Sequence, residues 1–212
     1  MITLFHIFAN AALGKGLSGG DRIFIELARR WSKKYPVVIH VWEEGYRICK
    51  TQGLNQNKYL RFKILDLGIW CRLGFFVCYF ARILKSIHYA LSTKIDNENG
   101  IILYSASEFW MDSLPAFVLK IRYPRVKWIA GWFQTAPNPL KGYSEGNREV
   151  SYKLSAFLHW FMQTPIKPLI ERYADFILVN NEEERKHFST ADKQNRVLVV
   201  IGAVNIEAIN KY

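Results

Sequence analysis

Cysteine is scarce in this chain and poorly placed for chemistry. There are three, Cys49, Cys71 and Cys78, an odd number with no C-x-x-C pair. That pattern argues against a disulfide framework and against a structural zinc site; reduced, buried thiols in a cytoplasmic protein are the expectation. The absence of any N-x-S/T sequon agrees with it. The five histidines, His6, His40, His88, His159 and His187, show no ligand spacing, so no metal is expected. Each reads as structural or exposed rather than catalytic. The N-terminus lacks a basic n-region, and its apolar run is broken by His6 and Asn10, which excludes a convincing signal peptide. No segment approaches the roughly 20 uncharged apolar residues of a membrane-spanning helix. The nearest, residues 73–81, is bounded by Arg72 and Arg82. Internal repeats and low-complexity tracts are absent as well.

Acidic residues are the minority charge. Lys and Arg number 29 against 18 Asp and Glu, a formal net charge of +11. Such a balance favours anionic partners: nucleic acid, anionic lipid headgroups or phosphorylated substrates. Charge alone does not choose among them, and no nucleic-acid-binding module is present, so nucleic acid is not an expected partner. The chain has 212 residues, half of them hydrophobic, enough for one large domain with a substantial core.

Strand-like and helix-like segments alternate throughout. Strands are expected at 3–8, 37–42, 59–65, 101–104, 126–133, 175–179 and 197–201. Helices are expected at about 19–34, 67–95, 113–122, 150–174 and 182–188, with a last helical turn starting at 202–205. A polar, turn-like stretch fills the interval through Asn57. The alternation predicts an α/β, Rossmann-like fold with a mainly parallel sheet flanked by helices. In such sheets ligands bind beyond the carboxyl ends of the strands, here near Asn10, Glu43, Ser105, Phe133 and Asn180.

The opening of the chain carries the strongest local signal. An apolar strand, a glycine-rich loop and an amphipathic helix follow one another, a common anion cradle in which unpaired helix N–H groups point at the ligand. Gly19 and Gly20 at the helix start suit a diphosphate, with Arg22 in reach of a phosphate and Asp21 as an N-terminal cap. A competing reading takes residues 14–19 as G-x-G-x-x-G, with Glu43 and Glu44 as the ribose-binding acids of an NAD site. Against it, residues 9–13 intervene between strand and first glycine, and the helix starts late. A glycine turn without a ligand is the third reading.

Two further loops follow buried strands. Ser107 and Glu108 lie in S-A-S-E-F-W-M-D, whose polar and aromatic side chains suit a sugar. The alternative is capping by Ser107 or Asp112 with Phe109 and Trp110 in the core. Trp132, Gln134 and Asn138 lie in W-F-Q-T-A-P-N-P, either an acceptor pocket or a proline-terminated loop. Two helices mix aromatic and basic residues: Trp70, Phe75, Phe76, Tyr79 and Phe80 with Arg72, Arg82 and Lys85, and Phe157, Trp160, Phe161 and Met162 with Lys153, Lys167 and Arg172. Packing on the sheet accounts for each face alone, while the charge of the whole chain favours contact with an anionic membrane surface.

The run G-L-S-G-G-D-R-I-F-I-E-L-A-R-R-W (16–31) resembles the start of a family 4 glycosyltransferase of the GT-B fold. So do Y-S-A-S-E-F-W-M-D-S-L-P-A (104–116), W-I-A-G-W-F-Q-T-A-P-N-P (128–139), A-D-F-I-L-V-N-N (174–181) and V-I-G-A-V-N (200–205). The resemblance covers nearly the whole chain. It implies two Rossmann-like domains with the active site in the cleft between them. The N-terminal one binds the acceptor; the C-terminal one holds a nucleotide sugar, with a glutamate pair. Only the N-terminal half is matched: residues 1–203 as the acceptor-side domain and 204–212 as the start of the linker, with no donor-binding domain. By this resemblance Gly19 and Gly20, with Arg22, face the donor diphosphate, and Ser107, Glu108, Trp132, Gln134 and Asn138 face the acceptor. A histidine that many relatives carry after a middle strand has no counterpart at 133–138. The function implied is the N-terminal part of a retaining transferase that moves a sugar from a nucleotide-sugar substrate to a lipid-linked or polysaccharide acceptor. No cofactor is expected, and the place is cytoplasmic, peripheral at the inner face of a membrane. Two alternatives stand beside it: a non-catalytic remnant or split half that docks on a membrane or a C-terminal partner chain, and an NAD-dependent oxidoreductase.

Overall fold

A computed structural model describes residues 4–12, 17–95, 98, 100–136, 143–145, 148–150 and 154–201. Strand β1 (Leu4–Phe8) leads to α1 (Gly19–Trp31), β2 (Val37–Trp42), α2 (Glu43–Thr51) and β3 (Leu60–Leu65). A 3-10 turn (Gly68–Leu73) and α3 (Phe75–Ser92) then carry the chain back to β4 (Ile101–Ser105). There follow α4 (Trp110–Arg122), β5 (Lys127–Gly131), a two-stranded ribbon of β6 (Tyr143–Glu145) and β7 (Arg148–Val150), and α5 (Leu154–Tyr173). The described part closes with β8 (Phe176–Val179), α6 (Glu182–Lys186), α7 (Ser189–Lys193) and β9 (Val197–Val199).

Seven strands form one parallel sheet in the order β3-β2-β1-β4-β5-β8-β9. This is the α/β, Rossmann-like architecture expected from the alternation. The chain winds outward from β1 to β3, then returns to β4 and winds the other way. Neighbouring loops after β1 and β4 therefore diverge and open a crevice at that switch point.

Both faces of the sheet are covered, which is why its strands read as nearly continuous apolar runs. Strand periodicity of two sends Phe5 and Ile7 toward Phe24, Ile25 and Ala28 of α1. It sends Phe8 to the opposite core, with Leu103, Trp128, Leu119 of α4 and Ile166 and Ile170 of α5. Helix α1 starts at a capping box: the Asp21 N–H donates to Ser18 Oγ at 3.1 Å, and the Ser18 N–H donates to Asp21 Oδ2 at 2.9 Å. The N-cap is thus Ser18, and Asp21 is its reciprocal partner rather than the cap itself.

Several local expectations are corrected. The interval after β2 is not a turn: α2 starts directly at Glu43, whose carboxylate and that of Glu44 suit a helix N-terminus. The helix expected at 67–95 is broken at Gly74, whose φ of 107° ends the 3-10 turn and starts α3. That reversal brings the Cα atoms of Cys71 and Cys78 to 4.2 Å, and the two form a disulfide, so the expectation of three reduced thiols fails. Disulfides persist in oxidising compartments, and this one counts against reading the cysteines as a cytoplasmic signature. Cys49 remains a free, buried thiol whose pKa burial pushes up to about 12. Helix α4 begins at Trp110, three residues early, which places Pro115 in its second turn. The Met111 carbonyl, left without a proline N–H, accepts from Asn10 Nδ2 at 3.4 Å. The expected linker at 204–212 lies outside the described residues.

His6 and His40 meet on the α3 side of β1 and β2, Nδ1 to Nε2 at 3.0 Å, with Phe8 and Tyr89 against the His40 ring. Burial, then the nearby Lys63 ammonium, lowers His6 to about 4; burial, then His6 and Lys63, lowers His40 well below its usual value. The folded protein therefore keeps both rings neutral where the unfolded chain protonates them. Their stabilisation is complete above pH 6.5 and is lost as the pH falls toward 4, about 3 kcal/mol for His6 alone. A His6→Leu/His40→Leu chain is expected to close its stability gap to the native chain as urea titrations move from pH 7 to pH 4.5. A gap independent of pH would show that the pair is not neutral in the fold.

Candidate functional site

A cleft of about 620 Å³ opens at the switch point, at the carboxyl ends of the strands. Its walls come from four successive connections. Gly19, Gly20 and Arg22 enter from the start of α1, Ser107 and Glu108 from the β4–α4 loop, Phe133 and Gln134 from the loop after β5, and Asn180 from the end of β8. His159 reaches in from α5. A smaller recess of about 270 Å³ adjoins it, sharing Ser18, Gly20, Ser107 and Phe109 and lined also by Asp112.

The glycines make the cleft possible. A Cβ on Gly20 would sit 3.2 Å from Phe133 Cδ2 and 3.8 Å from the Ala106 carbonyl, so the helix approaches the β4 and β5 loops as closely as backbone allows. The Asp21 N–H is held by Ser18 Oγ and the Arg22 N–H by the Ser18 carbonyl. Among the described residues, the Gly19 and Gly20 N–H groups have no partner, and they belong to a helix end carrying partial positive charge.

The opposite wall is carboxylate, imidazole and amide. Glu108 is buried, with Oε1 3.8 Å from His159 Nε2 and accepting from Gln163 Nε2 at 3.3 Å. Gln163 also contacts His159 at 3.0 Å, donates to the Gln134 carbonyl and accepts from the Ala136 N–H at 2.6 Å. One amide thus ties α5, the β4–α4 loop and the loop after β5. Glu184 pins the same loop from α6 through the Thr135 N–H at 3.0 Å and its hydroxyl. The polar groups in this wall are held in place ahead of any ligand.

Below them lies a buried polar core. Asp112 accepts from the Asn10 N–H at 2.5 Å, the Ala11 N–H at 3.1 Å and the Ser107 hydroxyl at 2.6 Å. Burial pushes its carboxyl up to about 8 in spite of those donors and of nearby Arg82. Arg82 is wholly buried, donates to the Asn10 carbonyl at 3.1 Å and lies 4.5 Å over the Trp42 ring. The network fixes the β1 end against the β4–α4 loop, and hence one side of the cleft against another.

Gly19, Gly20, Arg22, Ser107, Glu108 and Gln134, all candidates from the sequence, line one cleft. Ser107 spends its hydroxyl proton on Asp112, and neither of them is the N-cap of α4, which is Phe109 with no side-chain cap hydrogen bond. Trp132 does not face the cleft: it is buried against Phe188 and donates to Thr135 Oγ1 at 2.8 Å. Asn138 lies outside the described residues, as do Gly14 and Gly16 of the dinucleotide fingerprint. Glu43 is exposed and paired with Arg47, beside a pocket that shares no residue with the cleft. Sequence reasoning misses Gln163, leaves His159 among the structural histidines and marks Asn180 only as a strand end. His159 and Gln163 stand four apart, polar residues on one face of an otherwise apolar helical stretch, and that spacing is the available signal. Among the described residues no three His, Cys, Asp or Glu side chains converge as a metal site.

No protein-family model matches the chain, and no curated protein matches it. Among solved structures it is similar to a UDP-GlcNAc 2-epimerase from Methanocaldococcus jannaschii, with a TM-score of 0.48 and 11% identity over 94% of this chain. It is also similar to a hydrogen sulfide-producing enzyme from Fusobacterium nucleatum, with a TM-score of 0.27 and 16% identity over 92% of this chain. The chain spans 45% of the epimerase chain and 67% of the other.

Proposed function

We propose that this chain is the acceptor-side domain of a retaining, nucleotide-sugar-dependent glycosyltransferase, the N-terminal half of a GT-B pair. The observation that carries the reading is the cleft itself: on one wall two helix N–H groups with no partner among the described residues, and on the other a buried carboxylate with amide and imidazole neighbours. The first suits a diphosphate and the second a sugar hydroxyl. In the reaction the anomeric C–O bond to the diphosphate breaks and a C–O bond to the acceptor hydroxyl forms on the same face. The acceptor proton leaves with the departing diphosphate. Gly19 and Gly20, with Arg22, stabilise the charge that develops on the leaving group. Glu108, held by Gln163 and beside His159, orients the acceptor hydroxyl, with Gln134 and Asn180 at its rim. The nucleotide and sugar of the donor fall to a second α/β domain, in the same reading frame or on a partner chain. An apolar, exposed face on α3 and the net charge of +11 favour a peripheral seat on an anionic membrane. Among the described residues no helix is long and apolar enough to cross one.

The test begins downstream of codon 212. A frame that encodes a second α/β domain with a glutamate pair supplies the complete enzyme; a stop codon directs the search to a separate chain. In the completed enzyme, transfer from a radiolabelled nucleotide sugar to a membrane-lipid extract is expected, and Glu108→Ala is expected to slow it by roughly a hundredfold. Tryptophan fluorescence that NADH quenches and nucleotide sugars leave unchanged would overturn the reading in favour of a dehydrogenase.

A further inference from the structure

A second cavity, of about 250 Å³, lies beside the cleft and differs from it in character. Phe75 and Tyr79 of α3, Phe109 and Met111 at the start of α4, and Leu158 and Met162 of α5 form most of its wall. Phe109 and His159 line both spaces, so the apolar cavity and the polar cleft share a wall. The Tyr79 hydroxyl is buried and has no hydrogen-bond partner, and burial raises its pKa. The cavity therefore offers apolar contact over most of its wall, with the His159 ring at the side it shares with the cleft.

Its outer end lies at the apolar surface of the 3-10 turn and α3. Phe75 is 57% exposed, and Ile69, Trp70, Leu73, Phe76 and Phe80 around it are each about half exposed or more. A patch of that kind on a chain of net charge +11 fits a phase that is apolar inside and anionic at its surface. The order is thus polar cleft, apolar cavity, apolar exposed patch.

We propose that the cavity takes the hydrocarbon chain of a lipid acceptor whose polar head occupies the cleft, the chain leaving past Phe75 into the bilayer. This rests on the transferase reading and narrows it, since a polysaccharide acceptor has nothing to place there. The geometry makes the α3 face a point of substrate entry as well as a membrane contact.

The chain has three methionines, Met1, Met111 and Met162, and two of them line the cavity. Methyl-¹³C-methionine NMR on the full chain reads it directly. Hexyl, octyl and decyl phosphate, each below its micelle concentration, are expected to shift the Met111 and Met162 signals and leave Met1 unmoved. Affinity is expected to rise roughly threefold per added methylene until the cavity is full. Inorganic phosphate is expected to move neither signal. Leu158→Trp, which fills the cavity, and Phe75→Ser, an exposed change at its mouth, are each expected to weaken decyl phosphate binding at least tenfold. Equal responses to inorganic and decyl phosphate, or affinity independent of chain length, would overturn the proposal. So would decyl phosphate binding untouched by both variants. The two readings fail separately. Transfer to a water-soluble acceptor with no alkyl binding removes the lipid chain and keeps the transferase. Alkyl binding in a completed enzyme that transfers to no acceptor does the reverse.

Discussion

Asp112→Ala is expected to destabilise the protein by about 3 kcal/mol, enough to be a large part of the total stability of an ordinary domain. The carboxyl accepts from the backbone N–H groups of Asn10 and Ala11 and from Ser107, and it is wholly enclosed. Alanine leaves those donors without acceptors in the interior and opens a small void beside Arg82. Asp112→Asn is different. Burial raises the Asp112 carboxyl and so favours its neutral form; the amide keeps the shape and the one oxygen that accepts from the Asn10 and Ala11 N–H groups, and the Ser107 hydroxyl can turn to accept from the new NH2. The asparagine variant is therefore expected to lose less than about 1 kcal/mol at pH 7. The sign of its pH effect follows from linkage. A carboxyl raised above its unfolded value contributes stability that is complete below about pH 4 and is lost as the pH rises through 8. Asp112→Asn should flatten that slope, opposite in direction to the one the His6–His40 pair imposes. Urea midpoints at pH 5 and pH 8.5 separate the two; equal losses for alanine and asparagine would show that the hydrogen bonds are not what holds the loop.

The large features of this fold are legible in the sequence because they are periodic. β1, β2, β4 and β8 are mostly runs of aliphatic and aromatic residues, and Ser18 followed by Asp21 is a readable helix start. Helix α2 is hidden because its buried face is little more than Ile48 and Cys49, with Gly45 inside it and a polar tail after it. The Cys71–Cys78 disulfide depends on a positive φ at Gly74 that no spacing rule exposes. Trp132 is the instructive error. Trp128, Ala130 and Trp132 alternate on one face of β5 and its continuation and all lie in the same core. A period-two count along that stretch is enough to bury Trp132. The reverse holds for the cleft wall: Glu108 lies 55 residues from Gln163, and only the pairing of β4 with β5 and the return of α5 bring them together.

Gly19→Val tests the donor side of the cleft with the least disturbance of the fold. A Cβ on Gly19 meets nothing within 4 Å, so stability is expected to change by no more than about 0.5 kcal/mol. Yet the added side chain stands over the two N–H groups that the capping box leaves open, and it keeps a phosphate oxygen from reaching them. In the completed enzyme, transfer is expected to fall by roughly a hundredfold or more, the scale set by removing a preorganised donor from a developing anion. Gly20→Val should be as inactive for a mixed reason, because its side chain also displaces Phe133, and with it the loop that carries Gln134. The comparison decides the mechanism. If both variants are inactive and Gly19→Val melts like the native chain, the N–H groups themselves are the binding element. If Gly19→Val turns over normally while Gly20→Val does not, the requirement is for the close approach of α1 to the β5 loop, and the diphosphate is held elsewhere.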